Sequence, residues 1–540
     1  MAKASVGNKR IAFYTLGCKV NQYESRAMAE IFSGMGYEVV PPEETADIYV
    51  INSCTVTGIA DKKSRNFARR SKRMNPKALT VLAGCYAEVA GESLKGIGEI
   101  DLIVGSRDKD RLPELVDGIV AKASVHSDVA KRPVDSPPES ADGTSRLAVE
   151  PKAQTAHISA DGDADGADGD ADRADGGGAV ISLSYPRAYI KIEDGCDRYC
   201  AFCIVPYARG AVRSRALGDI VEEARQLVSR GYKELILTGV NAALYGSDAE
   251  TGDARRGPSS SGAIHAAGVS HTPGVSHAPG VSPPPGISPA PDSSRSTCSP
   301  RAAGIMGVVD AISELDGDFR IRLSSLEPTV VDAAYARELV KRERLCPHLH
   351  LSLQSGSDSV LSAMGRRYTM DEYLRIVEVL KSRDPLYSIT TDLIVGFPGE
   401  TDEDFRRTLD SVDKVGFSKI HVFKYSRRTG TRAAEMDGQI AEQKKSERSR
   451  HLIEAGEHAA KRFREANTGT TRSVLFLGSH SDSERAQCDA IRGQSESRSI
   501  IDSARNGASG IFYEGITDNG IACRIRSKED IRGKLLDVRM

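Results

Sequence analysis

At 540 residues and 39% hydrophobic content, the chain is too long for one core and too polar to be globular throughout; three or four domains with unstructured stretches are expected. The formal charge of −2 hides an imbalance: residues 121–184 hold 12 Asp/Glu against 6 Lys/Arg, leaving the remainder at +4, which permits a nucleic-acid partner without requiring one. No apolar run reaches the roughly 18 residues of a membrane span and the N-terminus lacks a secretory pattern, so a membrane or disulfide-framed secreted protein is excluded and a cytoplasmic one expected.

Residues 1–120 alternate short apolar runs, "IAFYTLG" (11–17), "DIYVINS" (47–53), "ALTVLAG" (78–84) and "DLIVG" (101–105), with stretches of helical length. That alternation predicts a parallel α/β sheet. Residues 121–184, with "ADGDADGADGDADRADGGG", cannot bury enough apolar surface to order themselves and read as a solvated acidic linker. The Asp spacing resembles a calcium loop but lacks the Glu at the twelfth position and the flanking helices. From 185 to 440 six strand candidates follow: "AYIKIED", "ELILTGVN", "FRIRLSS", "HLHLSLQ", "ITTDLIVGF" and "KIHVFKYS". Helical stretches separate them, as in an open, partial version of the parallel (βα) barrel with six units. A Pro/Gly-rich insertion at 247–304, including "GVSHTPGVSHAPGVSPPPGISPAP", interrupts the second unit and reads as a flexible loop. Residues 441–470 predict a charged connecting helix, and 471–540 a small β-barrel built from "SVLFLG", "GIFYEGI" and "IACRIRS". The fold class is thus α/β throughout, apart from that C-terminal barrel.

Six of the ten cysteines fall into two trios. Cys196, Cys200 and Cys203, in "DGCDRYCAFCIVPYARG", form C-x3-C-x2-C directly after the first barrel strand. Three thiolates so close repel unless a cation compensates them, which points to metal. A closed zinc site would need a fourth ligand from elsewhere, whereas an iron–sulfur cube held by three cysteines leaves one iron open. The motif resembles that of the radical S-adenosylmethionine (SAM) enzymes, which implies a [4Fe-4S] cluster that binds SAM, with Phe202 lying against the adenine. Because the cysteines follow a barrel strand, the other strand ends should line the same pocket. Gly239, Ser324, Ser325, Glu327, Gln354, Asp392 and Gly396 are therefore candidate SAM contacts; turn glycines and caps are the plainer alternative.

Cys18, Cys54 and Cys85 each end one of the first three N-terminal strands, and in an open parallel sheet ligands bind beyond those ends. A second cluster with three protein ligands follows. Cys346, Cys488 and Cys523 read as ordinary small apolar or surface residues.

The ordered words "TLGCKVNQYES", "NSCTVTGIADKKSR", "GCYAE", "CDRYCAFCIVPYARG", "RIRLSSLEP", "LQSGSDSVL", "TTDLIVGFPGETDEDF" and "HVFKYSRRTGT" are similar to the methylthiotransferase family. They stand nearest the branch acting on N6-threonylcarbamoyladenosine beside the tRNA anticodon. That resemblance implies two [4Fe-4S] clusters, an auxiliary one on Cys18, Cys54 and Cys85 and the radical-SAM one on Cys196, Cys200 and Cys203. It implies reductive SAM cleavage, loss of hydrogen from adenine C2 and delivery of a methylthio group there. An electron donor such as a flavodoxin or ferredoxin, a sulfur source and tRNA are the implied partners. The tail is similar in position to an RNA-binding TRAM domain, although it carries only 11 basic residues against 10 acidic. Arg209, Arg213 and Arg215 are placed to meet phosphate or to be solvated at the surface. Isopentenyladenosine or a ribosomal-protein aspartate is the alternative target. A non-catalytic iron–sulfur carrier or sensor is the alternative of another class.

Overall fold

The computed structural model describes residues 9–129, 186–249, 304–480, 501–502 and 510–540. Most of the acidic linker and nearly all of the Pro/Gly-rich insertion, with Cys298 and Cys488, lie outside these residues. Among the described residues no helix is long and apolar enough to cross a membrane.

The N-terminal unit runs β1 (Arg10–Thr15), α1 (Lys19–Gly34), β2 (Glu38–Val40), β3 (Ile48–Ser53), α2 (Gly58–Met74), β4 (Leu79–Gly84), α3 (Cys85–Leu94), β5 (Leu102–Gly105), α4 (Leu112–Val129). Its strands form one parallel sheet in the order β2-β1-β3-β4-β5. Alternation along the strands feeds two cores. Ile11, Phe13, Ile48, Val50 and Val81 pack with Phe32 and Val116 on one face; Ala12, Tyr49, Ile51 and Leu82 pack with Phe67 and Tyr86 on the other. Strand β2 escaped the sequence pattern because it is three residues long and sits at the sheet edge. Helix α4 continues to Val129, past residue 120 where the linker was expected to start.

The second unit runs β6 (Arg187–Lys191), β7 (Glu193–Asp194), α5 (Val205–Arg209), β8 (Arg213–Ser214), α6 (Leu217–Ser229), β9 (Glu234–Thr238), α7 (Gly304–Ser313), β10 (Arg320–Leu323), β11 (Ser325–Leu326), α8 (Ala333–Leu339) and β12 (His348–Leu351). It continues with α9 (Asp358–Ala363), α10 (Met370–Arg383), β13 (Ser388–Val395), α11 (Asp402–Val415), β14 (Lys419–Lys424), α12 (Arg432–Glu435) and α13 (Glu442–Asn467). The parallel sheets β6-β9-β10 and β11-β12-β13-β14 join where one strand breaks at Ser324, giving an open six-stranded barrel in sequence order. Leu235, Leu237, Ile321, Leu323, Leu349, Leu351 and Leu393 pack under the helices. The alternating residues Glu234, Arg320, Arg322, His348, His350 and Asp392 therefore face the barrel interior.

The C-terminal unit comprises β15 (Thr471–His480), β16 (Ile501–Asp502), β17 (Ile511–Thr517), β18 (Ala522–Ser527) and β19 (Leu535–Arg539). Its sheet, ordered β16-β18-β17-β15-β19, is mostly antiparallel. It meets the amino ends of the barrel strands. Arg320 donates to the carbonyls of Ser473 (3.0 Å) and Ile516 (2.9 Å), and Arg322 to that of Thr517 (3.1 Å).

Both arginines, with Arg187, also hold the fully buried Glu234, at 2.7 to 3.0 Å. Burial alone would raise that carboxyl; the guanidinium groups of Arg322, Arg320 and Arg187 overcome it and keep it well below the glutamate range. A depressed folded pKa contributes stability above the unfolded value of about 4.3, lost as pH falls through the folded value. Glu234→Gln should therefore cost about 3–5 kcal/mol at neutral pH, because three cations lose their anion. Denaturant titrations should show the gap to wild type shrinking on acidification below about pH 4.

Candidate functional site

Cys18 caps α1, Cys54 follows β3 and Cys85 opens α3 directly after β4. Strands β1, β3 and β4 are neighbours, and their register, Thr15 opposite Asn52 and Ser53 opposite Gly84, ends them nearly level. Three cysteines remote in sequence thus share one sheet edge. Gly17 and Gly84 make the approach possible. Both have positive φ (+95° and +103°); a Cβ on Gly17 would stand 2.7 Å from the Cys54 Sγ, and one on Gly84 2.6 Å from the Ser53 carbonyl. Two buried asparagines clasp the loops. Asn21 donates to the carbonyls of Leu16 (2.7 Å) and Ser53 (3.1 Å), and Asn52 donates to that of Asn21 (2.9 Å).

The second trio hangs from the β7–β8 hairpin, where Glu193 pairs with Ser214 and Asp194 with Arg213. Cys196 N–H donates to the Gly210 carbonyl (3.0 Å) and Cys203 N–H to that of Cys200 (2.9 Å). Ala201 seats the loop against the barrel, donating to Met364 and accepting from Ala433, each at 2.8 Å. The Phe202 ring lies 5.9 Å from the Arg366 guanidinium carbon. A cavity of ≈ 450 Å³ opens beside Cys200 and Cys203, lined also by Arg198, Tyr199, Arg366 and Arg432.

Burial pushes the Cys54 and Cys196 thiols up to about 12 and Cys203 to about 11, and raises Cys200. Neighbouring thiols add to the rise: Cys18 and Cys85 act on Cys54, and Cys200 and Cys85 on Cys203. Helix α3, which Cys85 opens, packs against α5, which begins two residues after Cys203, so the two trios lie on adjoining elements. Such thiols become thiolates only with a bound cation, so the donor set fits iron. Among the described residues no three His, Cys, Asp or Glu side chains stand close enough to hold a single metal ion. A four-iron cube, each cysteine on its own iron, takes the wider spread.

The other expected residues divide. Ser324 is buried with an unpartnered Oγ, as are Thr238 Oγ1, Asn241 Oδ1 and Glu193 Oε1 at the same barrel mouth. Buried polar atoms without a protein partner are free to bond to a molecule held at that mouth. Ser325 forms β11 beside them. Glu327 is fully engaged, accepting from Arg198, Asn241 and Arg366, each at 3.0 Å, and so acts as a brace. Gln354 holds a positive φ of +69°, and Asp392 meets His350 at 3.1 Å. Despite burial, His350, His421 and Lys19 hold the Asp392 carboxyl low. Gly239 and Gly396 face protein instead: their open sides are filled by Glu193 and Lys445.

The expectation of phosphate at Arg209 is corrected. Arg209 is 2% exposed and binds Glu24 (3.0 Å), Asp194 (2.8 Å) and Asn21 (2.5 Å). Lys109 and Lys191 complete the network on Glu24, at 2.6 and 2.8 Å. Arg215 is spent on Glu223 (2.7 Å), while Arg213 is half exposed and donates to the Arg209 carbonyl (2.9 Å). Sequence reasoning missed this buried lock between the two units; only the lone charges within "NQYES" and "VPYARG" hinted at it.

Two families match, one described as "Uncharacterized protein family UPF0004" over residues 10–105 and the Radical SAM superfamily over 190–412. The chain is 34% identical over 468 residues to the threonylcarbamoyladenosine tRNA methylthiotransferase MtaB of Thermotoga maritima, covering 86% of each. It is 30% identical over 530 residues to the MtaB of Bacillus subtilis, covering 98% of this chain and 93% of that one. It is 29% identical over 479 residues to the tRNA-2-methylthio-N(6)-dimethylallyladenosine synthase of Carboxydothermus hydrogenoformans, covering 88% and 89%.

Proposed function

We infer that this chain, which belongs to the radical SAM tRNA methylthiotransferases, adds a methylthio group to C2 of N6-threonylcarbamoyladenosine next to the tRNA anticodon. The observation that carries this reading is the pair of cysteine trios, one at three level strand ends and one on the barrel loop, brought together where α3 packs against α5.

Cys18, Cys54 and Cys85 would hold one [4Fe-4S] cluster, and Cys196, Cys200 and Cys203 the other. When bound, the clusters and SAM supply the one-electron cleavage, the radical and the sulfur. The protein supplies position and shelter. Phe202 offers a ring face to the adenine of SAM, with Arg366 behind it. The free polar atoms of Thr238, Asn241 and Ser324 meet the cofactor's polar groups, with Ser325, Gln354 and Asp392 at the same mouth. The Glu327 brace fixes the loop carrying Arg198 to the strand ends, and the C-terminal sheet covers the opposite end of the barrel. The target base leaves its stack to reach this interior. A flavodoxin or ferredoxin as electron donor and a separate sulfur source complete the partners, and the cytoplasm is the compartment.

Nucleoside mass spectrometry of tRNA tests the reading. Cells lacking the protein should lose the 2-methylthio form of threonylcarbamoyladenosine, and reconstituted protein should restore it. Loss of the methylthiolated dimethylallyl nucleoside instead would assign the other branch.

A further inference from the structure

Helix α2 is the most basic element among the described residues: its 17 residues carry seven Lys/Arg against the single acid Asp61. Helix α13, with 26 residues, balances seven basic with five acidic. Three of the seven are engaged within the fold, Arg65 with Tyr86, Arg70 over Phe67 and Lys72 with Asp101; the other four are exposed. Ser64, Phe67, Ala68 and Ser71 face the core, while Ile59, Lys62, Lys63, Asn66, Arg69 and Arg73 follow one another at helical spacing on the exposed side. Arg69 and Arg73, four residues apart, repel each other, and Arg69 is held only loosely, by Glu99 at 3.8 Å and the Asn66 side-chain oxygen at 3.4 Å. An exposed stripe whose charges repel one another and find few partners in the fold is suited to an external polyanion.

Its placement names the polyanion. The helix starts four residues after Cys54, and Asp61 in its first turn is pinned to the barrel by Arg428 at 2.7 Å. Val56 and Ile59, 51% and 44% exposed, form an apolar lip at that end. From the lip the basic stripe, Lys62 to Arg73, runs along the helix for about 17 Å.

We propose that the outer face of α2 is a rail for the sugar–phosphate backbone of the substrate RNA. Phosphates lie along Lys62, Lys63, Arg69 and Arg73, and the unstacked nucleoside enters past Val56 and Ile59 beside Cys54. Contacts of this kind set register without reading sequence. The proposal rests on the tRNA reading above.

The test uses the full-length reconstituted protein with Lys62→Gln, Lys63→Gln, Arg69→Gln and Arg73→Gln combined, all surface changes. Titration with tRNA bearing threonylcarbamoyladenosine should show binding weakened on the order of 100-fold at low salt. The slope of log affinity against log salt should fall by about three. Release of 5′-deoxyadenosine without tRNA, driven by a chemical reductant, should be unchanged. Unaltered affinity and slope would overturn the proposal. So would a variant that binds tRNA normally but loses only turnover driven by an acidic electron carrier, since the face would then serve that protein. Wild-type protein that fails to bind this tRNA would instead sink the substrate reading.

Discussion

Cys54→Ala should abolish methylthiolated product while 5′-deoxyadenosine still forms. Cys54 is 5% exposed between the loops of Cys18 and Cys85, so alanine would remove one of the three proposed ligands, with no other cysteine on hand to replace it. Product should fall by more than about 100-fold, beyond the 10–100-fold that losing a supporting partner costs. Iron in anaerobically reconstituted protein should drop from about eight atoms per chain to about four. Cys200→Ala should do the reverse, stopping 5′-deoxyadenosine formation and sparing the other four irons. Full product from the Cys54 variant would dismiss the auxiliary role.

Arg209→Met should destabilise the protein by about 3–5 kcal/mol, because Glu24 and Asp194 would lose their shared cation while still out of water. These residues come from different units, so the damage should concentrate at the junction between the N-terminal sheet and the barrel. Hydrogen exchange should rise first in α1 and in β7. Arg209→Lys should fall between the two proteins, since lysine keeps the charge but cannot fork to Glu24, Asp194 and Asn21 together. A midpoint within error of wild type for the methionine variant would show that the lock carries no stability.

The parallel sheet and the open barrel were legible because their strands are near-continuous apolar runs ended by turn residues, as strands buried on both faces must be. Strand β19 escaped, since "LLDVR" mixes charge with apolar residues in a half-exposed sheet. The strand-end cysteines were legible for a related reason: parallel topology carries sequence order into spatial neighbourhood. Long-range pairing of charges has no such periodicity. Arg209 looks like a solvent or phosphate residue in "PYARG", and only the fold brings Glu24, 185 residues away, to meet it. Gly239 and Gly396 show another limit, because a glycine announces a close approach without naming what approaches: on the side a Cβ would take, Glu193 and Lys445 stand there.

The left-handed turns at Gly17 and Gly84, with the asparagine clasp between them, shape the Cys18, Cys54 and Cys85 loops through hydrogen bonds that owe nothing to iron. These loops should therefore keep their shape in iron-free protein, so that reloading the proposed site would need no refolding.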